Sequence, residues 1–280
     1  MTLQEAHNAT HVINSIRLEY RSPSGRNGIW VLVEGDGDVS LFKKLLSAAD
    51  LRVNSVPGGV DQLRIAVGHS DMQAMGRVIG IRDADFLHLD GKTESVNNLF
   101  LTDFHDAEMM LAANDEAFHA LVCEHLPRRS SASQDVRGEL LESLKFLGGL
   151  RWLNDTEDLS LNFRGLSLGK FFDGGNLQLD EAECLDDVHA RSPGKRCRVS
   201  IAEVSAKLVG VDDLLDLCNG HDFEKAFAAH AKTQSKRKAI KSNVVGSSLR
   251  LAYGLEHFQQ TELYGTLMRW QETSSHRLFA

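Results

Sequence analysis

Three short segments carry carboxylates at a spacing that could gather them around a cation. They are Val33-Glu34-Gly35-Asp36-Gly37-Asp38, Ile81-Arg82-Asp83-Ala84-Asp85 and Asp103-Phe104-His105-Asp106-Ala107-Glu108. Each follows directly on a short apolar run, at residues 29–33, 77–81 and 99–102. A carboxylate at the end of a buried strand is costly unless something compensates it. Where several converge, a hard cation that takes oxygen ligands is the natural compensation. In an extended chain Asp83 and Asp85 point the same way, so they offer two oxygens to one ion or one to each of two. Glu34 would face them if its strand lies beside theirs. Gly35 and Gly37 allow a sharp turn and a close approach to phosphate. One Asp-x-Asp alone says little, because aspartates cap helices and fill turns. The ordered set carries the reading.

The elements that must hold these groups follow from periodicity. Residues 29–33 form a continuous apolar run near glycines, as in a strand buried on both faces. Residues 38–49 have helical spacing, with Val39, Phe42, Leu45 and Leu46 on one face. A second strand is predicted over 51–56, ended by the turn Pro57-Gly58-Gly59, then a helix over 60–75. Strands over 77–81 and 99–102 follow, and a helix starts near Asp106. This alternation predicts an α/β fold with a mostly parallel sheet flanked by helices. Crossovers in such units are right-handed, and sites lie beyond the carboxyl ends of the strands. Residues 1–27 read as a polar lead-in, a strand or turn followed by a loop. Residues 28–125 read as the catalytic domain and 126–280 as a mainly helical C-terminal region. Within the latter, 128–136 reads as an exposed loop and 151–199 as irregular. Helices are expected over 137–150, 201–217 and 222–231, with a longer helical pattern over 249–271.

With 280 residues and 42% hydrophobic content, the chain can bury a full core as one large domain or two modest ones. The net charge of −8 does not suggest a surface that grips nucleic acid everywhere, but it leaves room for local basic patches. Lys232, Lys236, Arg237, Lys238 and Lys241 form the main basic run, either a phosphate-binding patch or a solvated helix face. Arg128-Arg129 and the group Arg191, Lys195, Arg196 and Arg198 are weaker candidates. Arg82 reads as a structural counter-ion or a phosphate contact. Cys123, Cys184, Cys197 and Cys218 lack CxxC or zinc-finger spacing and read as reduced thiols. The N-terminus lacks the apolar run of a signal peptide, and no apolar stretch approaches the ~20 residues of a membrane span. A soluble, cytoplasmic protein without membrane association is expected. His105 reads as a surface loop histidine, with metal ligation or proton shuttling as the sharper alternatives. Trp30 and Trp152 read as core.

Strand-Glu-Gly followed by strand-Asp-x-Asp resembles the TOPRIM fold of topoisomerases, primases and OLD-family nucleases, over residues 28–115. The resemblance implies Glu34, Asp83 and Asp85 as core ligands of Mg²⁺ or Mn²⁺, with two ions as in two-metal nucleases. Asp38, Asp106 and Glu108 fall where OLD-like nucleases have further acidic residues. Glu34 could instead be a general acid or base, as in topoisomerase-like sites. Cys218-Asn219-Gly220-His221-Asp222-Phe223, Ser248-Leu249-Arg250-Leu251-Ala252-Tyr253 and Thr261-Glu262-Leu263-Tyr264 are similar to the TOPRIM-containing effectors that include AriB of the PARIS anti-phage defence system. Many relatives carry Gly-Lys at the position of Gly220-His221, so a catalytic cation is left open between His221 and Lys225. Together these resemblances imply a metal-dependent endonuclease that cuts RNA, tRNA among the candidates, or DNA. It would be a toxic effector held in check by an ABC-type ATPase. The C-terminal helical pattern leaves a homodimer open. The alternatives are a non-catalytic TOPRIM-like scaffold and, ranked last, another phosphoryl-transfer enzyme.

Overall fold

A computed structural model describes residues 8–127, 133–234 and 240–280. The chain divides into two compact units. The first comprises the described residues of Met1–Ala84, Lys92–Asp103 and Gly254–Ala280; the second is Asp85–Gly91 with Phe104–Tyr253. The units interleave along the chain, whereas the sequence reading placed a boundary after residue 125.

The first unit is built on α1 (Ala9–Arg21), β1 (Ile29–Val33), α2 (Asp36–Leu45), β2 (Leu51–Ser55), α3 (Val60–Gly68), α4 (Ser70–Met75), β3 (Val78–Arg82) and β4 (Leu99–Leu101). The sheet order is β2-β1-β3-β4, and every pairing is parallel. All five residues of β1 and all five of β3 are buried, which explains their unbroken apolar sequences. Trp30 and Leu32 join Leu63, Ala66 and Val67 of α3 in one core cluster. Gly80 lets α3 come down on the sheet: a Cβ there would lie 2.5 Å from Leu99 Cδ1 and 2.7 Å from Val67 Cγ2. The expected α/β architecture is therefore present.

Several predicted bounds shift. The lead-in holds a helix, α1, capped by the Asn8 side chain and burying Ala9, Ile13 and Ile16 at helical spacing. Its apolar stripe is short and flanked by polar residues, which hid it. The helix expected over 60–75 breaks at His69, whose extended backbone ends α3 and opens α4. The long C-terminal pattern is also interrupted. It contains the end of the second unit's last helix, then α12 (Leu255–Phe258) and α13 (Glu262–Ser274) of the first unit. Asp103, just past β4, accepts bonds from the Glu262 and Leu263 amides, each at 2.8 Å, and so caps α13. Phe258 stacks edge-on against Phe42 and Tyr264, and Leu263 and Leu267 are buried.

The second unit is mainly helical: α5 (Ala107–Ala113), α6 (Asp115–His125), α7 (Ser133–Glu157), α8 (Glu181–Ala190), α9 (Ile201–Lys207), α10 (Gly220–Gln234) and α11 (Ser242–Ala252). A short hairpin pairs the two-residue strands β5 (Phe172–Asp173) and β6 (Gln178–Leu179). Its core includes Phe118 of α6 against Phe223 and Phe227 of α10. The stretch 151–199 is less irregular than expected, since α7 runs on to Glu157 and α8 lies within it. The helix expected over 201–217 stops at Lys207, and Gly210 beyond it has φ +81°. No described helix is long and apolar enough to cross a membrane.

Candidate metal centres

The first unit brings two of the expected ligands together. In the order β2-β1-β3-β4, the chain leaves β1 toward β2 and returns past β1 to β3. The carboxyl ends of β1 and β3 therefore flank the switch point where open parallel sheets bind ligands. Glu34 follows β1 and Asp83 follows β3. The Asp83 amide donates to Glu34 Oε1 at 3.3 Å. The Ala84 amide donates to Thr102 Oγ1 at 3.0 Å, which anchors the turn carrying Asp83. Asp38 Oδ2 accepts from the Gly35 amide at 3.0 Å, so Asp38 contributes to the start of α2 as well as lying near the Glu34 turn. The side chains here offer only oxygens, the donor type that Mg²⁺ or Mn²⁺ takes, but among the described residues Glu34, Asp38 and Asp83 do not form a set of three ligand atoms within 4.8 Å of one another.

Asp85 and Arg82 depart from expectation. Asp85 opens the second unit with φ +50°, and its amide donates to the His105 carbonyl at 2.7 Å. β3 ends at Arg82, so strand alternation does not align Asp83 with Asp85. Aspartate is among the few residues that tolerate this left-handed backbone. Arg82 was a candidate nucleic-acid contact, yet its side chain is only 6% exposed. Its Nε donates to the Asp83 carbonyl at 2.7 Å and its Nη1 lies 3.3 Å from Glu94. Burial alone would raise the Glu94 carboxyl. The Val96 and Ser95 amides, with Arg64 and Arg82, outweigh it and hold Glu94 below its ordinary range. Arg82 is thus a structural counter-ion.

The second unit, taken by itself, also gathers acidic groups. Asp106 is the N-cap of α5, and its Oδ1 accepts from the Met109 amide at 2.9 Å. Its Oδ2 accepts from the Gly220 amide at 2.6 Å, at the first residue of α10. One buried carboxylate thereby ties two helix N-termini together. Glu108 on α5 and His221 and Glu224 on α10 present ligand atoms that all lie within 4.8 Å of one another. His221 and Glu224 share a helix face by their three-residue spacing. Side-chain exposure is 8% for Glu224, 13% for Glu108 and 70% for His221. Arg250 of α11 approaches Glu108 at 3.7 Å.

The electrostatics reflect this crowding. Burial, then the Glu108 charge, push the Asp106 carboxyl up to about 8 despite its two amide donors. The hydrogen bond to Glu224, with the Glu108 charge, raises the His221 imidazole to about 9 against the opposing effect of burial. Without a metal, an imidazolium therefore balances the carboxylates near neutral pH.

Of the two candidate cations, His221 lies in this cluster. Lys225 instead pairs with Asp222 at 3.1 Å, and Asp222 also accepts from Arg151 Nε at 2.9 Å, with Nη2 at 2.7 Å completing the ion pair. Glu224 and Asp222 escaped the sequence reading because the helix was expected to begin at residue 222, which left His221 outside it. The spacing His-x-x-Glu was the available signal. His105 is buried rather than on a surface loop. Its Nδ1 lies 3.3 Å from the Asp216 carbonyl, its ring packs on Phe86, and burial lowers its pKa. Of the main basic run, Lys236, Arg237 and Lys238 fall outside the described residues, while Lys232 and Lys241 are exposed. Arg128-Arg129 also fall outside them. Arg191 and Arg196 are engaged with Asp187 and Asp158, each at 2.7 Å. Trp30 is core at 1% exposure, and Trp152 is half-buried with its Nε1 donating to Asp90 at 2.9 Å. No family model matches the chain, and no curated protein matches it significantly.

Proposed function

We propose that this protein is a metal-dependent nuclease that cleaves phosphodiester bonds of RNA or DNA. The observation that supports it best is that the Glu34 carboxylate accepts from the Asp83 backbone amide at the carboxyl ends of two adjacent parallel strands. Glu34 and Asp83 would hold Mg²⁺ or Mn²⁺, with Asp38 beside them. A bound cation of this kind polarises phosphoryl oxygens and makes hydroxide available near neutral pH. Asp85, Asp106 and Glu108 enter the reading as further ligands from the sequence motifs alone. Phosphate grip falls to the basic run of Lys232, Lys236, Arg237, Lys238 and Lys241, of which Lys232 and Lys241 are exposed and the other three lie outside the described residues. The sequence resemblance further supports a toxic effector role in anti-phage defence, with an ABC-type ATPase as the restraining partner and the cytoplasm as its compartment.

The test uses purified protein with labelled tRNA, single-stranded RNA and plasmid DNA, in Mg²⁺, Mn²⁺ or EDTA, beside Glu34→Ala. Metal-dependent cleavage that disappears in the variant supports the nuclease and names its substrate class. Co-expression with the restraining ATPase, then its triggering, covers the case of an inhibited enzyme. Silence there, together with no toxicity that Glu34→Ala relieves, refutes the nuclease and leaves the scaffold.

A further inference from the structure

We infer that Glu108, His221 and Glu224 form a mixed oxygen–nitrogen site for a borderline divalent transition ion such as Zn²⁺, and not for Mg²⁺. The inference stands on the second unit's own residues and does not depend on the nuclease reading.

The ligand atoms come from two helices and converge within 4.8 Å. Ligands around an ion bound at about 2.1 Å stand roughly 3.5 Å apart, so a small side-chain rotation closes the set. His221, 70% exposed, is the side chain with room to make it. The two carboxylates are largely withdrawn from water and already face cationic groups, His221 at Glu224 and Arg250 at Glu108, so a bound ion would take over a charge balance that the protein itself supplies. Their position is built into the packing. A Cβ at Gly220 would run into Glu108 and come within 2.5 Å of Asp106 Oδ1. A Cβ at Gly246 would collide with the Glu224 carboxylate. Two helices thus carry bare positions where the ligands approach. Asp106 fixes the register by binding the N-termini of α5 and α10 at once. The exposed side of His221 leaves coordination positions for water or a substrate oxygen, as in open metal sites.

The donor set decides the ion. Imidazole suits Zn²⁺ and its neighbours Fe²⁺, Ni²⁺ and Cu²⁺, whereas Mn²⁺ and Mg²⁺ favour all-oxygen sets and Mg²⁺ gives up water reluctantly.

Equilibrium dialysis of the full chain with Zn²⁺, Mn²⁺ or Mg²⁺ tests this, on wild type, Glu34→Ala, His221→Ala and Glu224→Gln. The expected result is one tight Zn²⁺ equivalent, retained in Glu34→Ala and not displaced by excess Mg²⁺. Losing a group that merely orients a ligand costs about 10–100-fold in metal affinity, so His221→Ala is expected to lose more than ~100-fold. A Co²⁺-loaded sample adds an independent readout, since its visible spectrum should change in His221→Ala. Circular dichroism shows whether Glu224→Gln remains folded; the exposed His221→Ala serves if it does not. No transition-ion binding in wild type, binding indifferent to His221, or equal competition by Mg²⁺ each overturns the proposal. Loss in Glu34→Ala also overturns it, because the binding would then belong to the first unit's carboxylates.

Discussion

The first unit's acidic pair rides on strands, and the second unit's cluster rides on helices. Glu34 and Asp83 stand at the ends of β1 and β3, whose hydrogen-bonded register leaves their backbones little freedom. Glu108, His221 and Glu224 depend on how α5, α10 and α11 pack, with two glycines and one capping aspartate setting the approach. The sheet supplies geometry through backbone bonds; the helix cluster must obtain it from side-chain packing. The first arrangement should therefore tolerate local substitutions better than the second.

The largest effect should come from Glu34→Ala. On the proposed nuclease reading, cleavage is expected to fall by more than ~100-fold, because a ligand of the ion that stabilises transition-state charge is removed. The melting temperature should stay near that of wild type, since Glu34 is not part of the core. A comparable loss of melting temperature would mean that Glu34 is structural and would weaken the contrast with the helix cluster.

The two units also differ in how deeply their ion pairs lie. Glu94→Ala leaves Arg82, 6% exposed, without its carboxylate, and should cost about 3–5 kcal/mol in urea unfolding. Asp222→Ala leaves Arg151 and Lys225, 20% and 36% exposed, within reach of water. It should cost less, about 1–3 kcal/mol, the desolvation penalty of incompletely buried partners. If Asp222→Ala costs more than Glu94→Ala, burial is not what ranks them.

Gly246→Ala sharpens the packing argument. The new methyl group must displace the Glu224 carboxylate, so about 1–3 kcal/mol of stability should be lost. Transition-ion affinity should fall with it, while Mg²⁺-dependent activity assigned to Glu34 should not. Gly138, with open space around its Cβ direction, is the control: alanine there should stabilise α7 slightly.

The smallest effect concerns pH. His189 is buried, and its Nε2 accepts from the Val199 amide at 3.2 Å, which requires a neutral ring. Burial, with Arg198 and Lys195 nearby, lowers its pKa. Below the unfolded value of about 6.5, the unfolded chain takes up a proton that the folded chain resists. This contribution is whole above that pH and declines as pH falls toward the folded pKa. Urea unfolding of wild type and His189→Gln between pH 5 and pH 7.5 should show a shallower acid-side decline in the variant.

The α/β alternation, the parallel strands and the carboxylates at their ends were legible because each rests on a local pattern. A doubly buried strand must be apolar throughout, and Ile29–Val33 is. A residue following such a strand sits at the sheet's carboxyl edge whatever else the chain does. α1 was hidden because its buried stripe is brief, and the break at His69 because one extended residue leaves no trace in apolar spacing. Reading α10 from Asp222 rather than Gly220 removed His221 from its helix and Glu224 from its company.

The sequence by itself determined which residues could bear charge at strand ends and which segments had to be buried. Backbone periodicity and desolvation act within a few residues, so a single chain segment records them. Tertiary structure alone decided that Arg82 turns to Glu94, that Asp85 leaves the strand in a left-handed turn, and that Glu108 meets His221 and Glu224. Those outcomes depend on groups far apart in the chain competing for the same partners, and on glycines whose value appears only when another helix arrives.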